Sequence, residues 1–393
     1  MKKYNWIILV SKDRGTNYGV GTFIKQLSIE LSRRNDLNVF ILEIGISINK
    51  FFSLKKDDKI TILEIPVREN ISGIDTKKNQ EKLSKSIARI ALKYIPSECQ
   101  NVIHMNFLFQ YFIAMELKNN LNGKILFTQH VFYTEHRSSQ FFNIESHVYN
   151  DVDKIITVTK HGKDHLLEKG LDTNSIEVVY NGIDPNQMNP SQNFHNRILE
   201  KYGLNKNEKL ILYSGRIDPI KGLDFLCKAI EGLVYKMNDF RLVFAGDGNY
   251  NQLFKSARKI SVHVSYLGFI PYEDVVALYH IADIGVIPSL EEHCSYVALE
   301  MLHAGLPVVA SSIGGLKEIF NHEQNAFLVK TINDSNVYGR IPVVEELEKY
   351  MYMLLNDDQL KTDFSKDGKE RAGRLFTSGI MVDNYIKIVN ELL

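Results

Sequence analysis

Short apolar runs, bounded by turn residues and separated by segments of helical period, recur along this 393-residue chain in two successive series. The first series is Trp6–Val10, Val39–Ile44, Ile62–Ile65, Asn101–His104, Lys124–Thr128, Lys154–Val158 and Ile176–Tyr180. The second is Lys209–Gly215, Arg241–Gly246, Val264–Leu267, Asp283–Pro288, Leu306–Ala310 and Ala326–Val329. A strand covered on both faces reads as one apolar run, and strands alternating with helices build parallel sheets. The pattern therefore predicts an α/β architecture of two doubly wound parallel sheets in tandem. A chain of this length also exceeds what one ordinary core serves. Between the series lies Asn181–Pro190, rich in Asn, Gly and Pro, which reads as a linker. It predicts domains of 1–187 and 188–375. Val382, Tyr385, Ile386, Val389, Leu392 and Leu393 recur at helical spacing near the C-terminus. That final amphipathic helix could finish the second domain or cross back over the first.

Hydrophobic content of 44% and charged content of 24% are those of a globular protein. The 47 basic and 47 acidic residues cancel, which argues against a nucleic-acid partner held by counterion release. Any anion site must be local. Cys99, Cys227 and Cys294 are odd in number and far apart, without metal-ligand spacing, so no metal and a reducing cytoplasm are expected. The apolar run Trp6–Val10 is too short for a signal segment or a membrane span. Lys50, Lys55 and Lys56 with Phe51 and Phe52 leave two expectations, a solvated loop or a peripheral contact with the inner face of a membrane.

Polar residues gather where the predicted strands end. Gly19 and Gly21 follow the first strand and open a helix, where backbone amides and the helix dipole favour an anion, although the same glycines could simply shape a turn. Gly215, Arg216 and Lys221 follow the first strand of the second series; a guanidinium fork and a compact ammonium in one short loop suit a diphosphate, or are two solvated loop cations. Gly246–Gly248 and Leu267–Pro271 could each merely turn the chain, or Gly268 with Phe269 and Ile270 could offer an apolar shelf to a flat base. His130 follows a strand of the first series, either as a structural hydrogen-bonding residue or as a group at the reacting centre. Glu292 and Glu300 stand eight positions apart, one in a turn and one in the helix that follows, a spacing able to hold several sugar hydroxyls, or are a solvated carboxylate and a helix-face glutamate.

These elements, with Asp153–Val158 and Val179–Asp184, occur in the order and spacing of a known family. The chain resembles retaining glycosyltransferases of the GT-B fold, of the large family-four type. The resemblance implies two Rossmann-like domains facing a central cleft, with the C-terminal helix, about 376–393, packed back on the N-terminal acceptor-binding domain. It implies that Arg216 and Lys221 grip the diphosphate of a nucleotide-sugar, a UDP-sugar ahead of a GDP-sugar. It further implies that Glu300 holds the ribose, Glu292 contacts the transferred hexose, His130 lines the reaction centre, and Gly19 and Gly21 let the first domain close. The implied chemistry is transfer to an acceptor hydroxyl with retention, without cofactor or metal.

One departure stands out. Where the family commonly carries Gly-Phe-Gly after the first glutamate, this chain has His293, Cys294 and Ser295, followed by Tyr296. Bulk there bears on the identity of the donor sugar, while Ser295 at a helix start can cap it. A GT-B-shaped sugar-nucleotide epimerase and a catalytically silent nucleotide-sugar-binding partner are the alternative readings. The acceptor is expected to meet loops 49–59, 69–80 and 133–146, the last with Tyr133, His136, Arg137, Phe141 and Phe142.

Overall fold

The computed structural model describes residues 4–12, 19–46, 52–57, 59–68, 77–131, 139–334, 337 and 339–393. The chain divides into two units, Met1–Gly182 with Ser378–Leu393, and Ile183–Thr377.

The first unit runs β1 (Tyr4–Ser11), α1 (Gly19–Ser32), β2 (Leu37–Gly45), β3 (Ser53–Asp57), β4 (Ile60–Pro66), α2 (Lys77–Ala91), β5 (Gln100–Met105), α3 (Tyr111–Leu121), β6 (Lys124–Gln129), α4 (Ser139–Asp151), β7 (Lys154–Thr157), α5 (Lys160–Glu168) and β8 (Ile176–Val178). Its strands lie in the order β3-β4-β2-β1-β5-β6-β7-β8. All neighbours are parallel except β3 and β4. β1 is buried along its whole length, which is why its apolar residues run continuously instead of alternating. Fully burying a residue such as Ile7 or Leu9 contributes about 1.5–3 kcal/mol, so this one strand anchors much of the core.

The second unit runs α6 (Phe194–Tyr202), β9 (Lys209–Ser214), α7 (Leu223–Leu233), β10 (Phe240–Ala245), α8 (Tyr250–Ser256), β11 (Val264–Gly268), α9 (Tyr272–Ile281), β12 (Ile284–Ile287), α10 (Tyr296–Ala304), β13 (Val308–Ser311), α11 (Leu316–Ile319), β14 (Ala326–Val329), β15 (Thr331–Asn333), β16 (Arg340–Pro342), α12 (Val344–Asn356) and α13 (Asp358–Leu375). Its main sheet is parallel in the order β11-β10-β9-β12-β13-β14. Both sheets have the doubly wound form the sequence predicts.

Two pieces of strand escape the sequence pattern. β3 falls in the segment read as a loop, because five residues pairing antiparallel at a sheet edge need no apolar face. Its Lys55 donates to Glu64 at 2.6 Å, and Phe52 stacks on Tyr94 with ring centroids 5.1 Å apart. These residues of the basic-aromatic cluster are therefore engaged by the fold, and edge lysines discourage strand addition. Lys50 and Phe51 lie outside the described residues. β15 and β16 pair antiparallel as three-residue strands, too short to show a period. Arg340 stitches them through Thr331 and Asn333.

The last helix, α14 (Ser378–Leu392), belongs to the first unit, where it meets α1. Its buried Tyr385 joins a chain of hydrogen bonds through the core. Trp6 Nε1 donates to His104 Nδ1 at 3.2 Å, His104 Nε2 meets Thr128 Oγ1 at 2.7 Å, and Thr128 Oγ1 meets the Tyr385 hydroxyl at 2.9 Å. The indole can only donate, so His104 Nδ1 accepts and Nε2 carries the hydrogen. Burial, reinforced by neighbouring His130, pushes the His104 imidazole down to about 3. Among the described residues no helix is long and apolar enough to cross a membrane.

Candidate functional site

In the second sheet the chain leaves β9 toward β10 and β11, then returns to β9's other side to lay down β12, β13 and β14. The carboxyl ends of β9 and β12 therefore flank the switch point, where open parallel sheets form a crevice for ligands. The loop after β9 contains Gly215, Arg216 and Lys221; the loop after β12 contains Glu291, Glu292, His293, Cys294 and Ser295. Leu290 N donates to Ile220 O at 2.8 Å, tying the loops together. Gly222 makes this approach possible: its φ is +66°, and a Cβ there would lie 2.0 Å from the Pro288 carbonyl oxygen.

Lys221 Nζ donates to Glu292 Oε2 at 2.6 Å across these loops. Two side chains assigned from sequence to different parts of a ligand are thus one ion pair, partly withdrawn from solvent. Arg216 is more open and lies 3.5 Å from Asp218, while buried Tyr213 holds the loop by donating to the Arg216 carbonyl at 2.5 Å. His293 Nε2 is 3.3 Å from Glu291 Oε1, which gives Glu291 a role the spacing argument did not assign. Cys294 is partly exposed. Ser295 is the N-cap of α10, its hydroxyl accepting from Ala298 N at 3.3 Å, and Tyr296 is the buried first residue of that helix.

Glu300 sits one turn into α10 and is only 7% exposed. The Tyr279 hydroxyl, from α9, donates to Glu300 Oε2 at 2.8 Å, and Ser214 at the end of β9 meets the same hydroxyl at 2.7 Å. Burial pushes the Glu300 carboxyl up to about 7, with the hydroxyls of Tyr279 and Tyr272 pulling the other way. Ser214, Tyr272 and Tyr279 are contributors the sequence analysis missed, since a tyrosine in a helical apolar pattern looks like any core residue. The buried hydroxyls of Ser289 and Ser311, at the ends of β12 and β13, have no hydrogen-bond partner among the described residues.

The loop after β10 does something the sequence did not suggest. Ile217 N donates to Asp247 O and Asn249 N to Ile217 O, each at 2.7 Å, zipping this loop to the one after β9. A Cβ on Gly246 would lie 1.8 Å from Gly215 O, so the glycine serves loop packing. Gly268 ends β11, and Phe269 beside it is 82% exposed, an apolar ring offered to solvent at the carboxyl edge.

In the first unit, the corresponding switch point lies between β1 and β5. Gly19 and Gly21 fall within the first turn of α1. His130 follows β6; its Nε2 meets Asn106 Oδ1 at 3.0 Å, and its ring stands edge-on to Phe23 with centroids 4.7 Å apart. Asn106 was missed, although a polar residue directly after an apolar strand is a detectable signal. The candidate acceptor residues Tyr133, His136 and Arg137, and the side chains of Phe141 and Phe142, lie outside the described part of the structure. Among the described residues no three or more His, Cys, Asp or Glu side chains gather as a metal site.

Known proteins match both units. An uncharacterized glycosyltransferase of Methanocaldococcus jannaschii is 29% identical over 315 residues, 72% of this chain and 78% of its own. A glycosyltransferase from Rickettsia africae superposes with a TM-score of 0.79 at 20% identity, covering 100% of this chain and 99% of its own. Anabaena HepE, crystallised in complex with UDP-glucose, superposes with a TM-score of 0.74 at 17% identity, covering 98% of this chain and 99% of its own. The fold is therefore GT-B. The family described as Glycosyltransferase Family 4 matches residues 18–187, and that described as Glycosyl transferases group 1 matches residues 195–371. With both halves of its length matched in order, the chain belongs to the group 1 glycosyltransferases.

Proposed function

We propose that this glycosyltransferase moves a hexose-type sugar from a nucleotide-diphosphate sugar to an acceptor hydroxyl, with retention at the anomeric carbon and without a metal ion. A UDP-sugar is the first donor to try and a GDP-sugar the second. The observation that carries this reading is the Lys221–Glu292 pair at the β9/β12 switch point, with Glu300 buried in the helix that follows the β12 loop. An ammonium has three N–H donors, so Lys221 can keep Glu292 and still engage a phosphate oxygen. With Arg216 it would stabilise the charge growing on the departing diphosphate. Glu292 would accept from hydroxyls of the transferred sugar, and Glu300 from the ribose. The bond from C1 to the phosphate oxygen breaks, the acceptor oxygen bonds to C1 on the same face, and its proton passes to the departing phosphate oxygen.

His130 is assigned to the reaction centre, and the first unit to the acceptor. The UDP-glucose complex of HepE, a protein of the same fold, supports a nucleotide-sugar donor. Three free thiols fit a reducing cytoplasm.

The test is incubation with UDP-, GDP- and ADP-sugars plus cell-derived acceptors, reading nucleotide release and the anomeric configuration of the product. Release that survives EDTA, with an α product from an α donor, is expected. No release with any donor would refute the transferase, and an inverted product would refute retention. A changed sugar configuration without acceptor would mark an epimerase instead.

A further inference from the structure

Asn106 has no part in the proposed transfer, yet it fixes a residue that does. It is 1% exposed, one residue beyond β5. Its Nδ2 donates to the Leu9 carbonyl at 3.2 Å, and its backbone N–H donates to Gln110 Oε1 at 2.8 Å. Gln110 Nε2 donates to the same Leu9 carbonyl at 3.1 Å. A carbonyl oxygen only accepts, so the nitrogen end of Asn106 must face Leu9. Oδ1 is then the end that meets His130 Nε2 at 3.0 Å. Oδ1 also only accepts. In its neutral form the imidazole then carries its hydrogen on Nε2 and its lone pair on Nδ1. Phe23, edge-on at 4.7 Å between centroids, limits the tilt of the ring.

We infer that Asn106 is a positioning residue for His130: it locks the Nε2–H tautomer and the ring plane, so that Nδ1 acts as a hydrogen-bond acceptor. A group engaged by Nδ1 must then donate, which favours a sugar hydroxyl over a phosphate or carboxylate oxygen. Catalytic relevance rests on the placement of His130 at the reaction centre; the tautomer does not.

The first measurement is ¹⁵N NMR of the ring nitrogens in the intact wild-type chain, with His130 assigned from the signals missing in His130→Ala. Protonated Nε2 and bare Nδ1 are expected, and a dominant Nδ1–H form overturns the inference. This measurement needs no turnover, so the inference and the transferase reading can fail separately. The second is kinetics of Asn106→Ala, His130→Ala and the double variant with whichever donor turns over. Asn106→Ala is expected to lower kcat about tenfold, to leave donor KM within about twofold, and to add nothing in the His130→Ala background. An equal loss of kcat in both backgrounds would give Asn106 a role independent of His130 and overturn the inference. Should Asn106→Ala fail to fold, the wild-type spectrum decides.

Discussion

Lys221 and Glu292, 71 positions apart in sequence, meet at 2.6 Å where the loops after β9 and β12 converge. Either residue alone leaves a partly buried charge without its partner, so the two should behave as a unit toward a donor. Lys221→Ala and Glu292→Ala are each expected to lower kcat/KM at least a hundredfold, and the double variant to fall little further. A hundredfold loss is about 2.7 kcal/mol, so the coupling in a double-mutant cycle should be about 2.7 kcal/mol or more. Strictly additive losses would mean that the pair acts as two independent contacts.

Glu300 makes the stability of the second unit depend on pH. Burial raises its folded-state pKa from 4.5 to about 7, so the native carboxyl holds its proton where the unfolded chain has lost it. The stabilisation from the neutral form is fully present below pH 4.5 and is lost as pH rises through 7, about 3 kcal/mol in all. Glu300→Gln, which never ionises, should therefore gain on wild type between pH 4.5 and 8 in urea unfolding, while donor affinity falls. Parallel stability curves for the two proteins would remove the buried-acid account.

The strands were legible because continuous apolar runs between turn residues have few other uses. Trp6–Val10 and Asp283–Pro288 announce buried parallel strands, and every run of both series forms one. β3 was not legible, because an edge strand pairing through its backbone leaves Lys55 and Lys56 free to be polar. Loop cations and paired glutamates stood out by residue type and spacing. Their contacts did not, because Lys221 meeting Glu292, or Tyr279 meeting Glu300, depends on strand order, which crosses the sequence. Gly246 was read as a turn residue for the same reason: its neighbour, Gly215, comes from another strand.

His104 acts in the opposite direction from Glu300. Its folded-state pKa of about 3 lies below the ordinary 6.5, so the unfolded chain binds a proton the native one refuses. The stability this confers is present above pH 6.5 and is lost as pH falls toward 3, about 4–5 kcal/mol over the whole window. His104→Gln should be less stable than wild type at pH 7, having lost its bonds to Trp6 and Thr128, and the gap should narrow as pH falls to 4. Urea midpoints at several pH values measure it, and a gap constant with pH would count against a neutral buried His104.

Gly222 carries two constraints that a control can separate. Its φ of +66° disfavours any side chain, and a Cβ would also drive into the Pro288 carbonyl at 2.0 Å. Gly203 has a similar φ of +61° with open space around it. Gly203→Ala should lose about 1–2 kcal/mol from backbone conformation alone. Gly222→Ala should lose about 2–4 kcal/mol, because the loops after β9 and β12 must also separate. Separation moves Lys221 away from Glu292, so donor affinity should fall at least tenfold in Gly222→Ala and stay near wild type in Gly203→Ala. Thermal unfolding with and without nucleotide-sugar reads both quantities. Equal effects in the two variants would mean that φ alone matters and that the loop contact does not hold the site together.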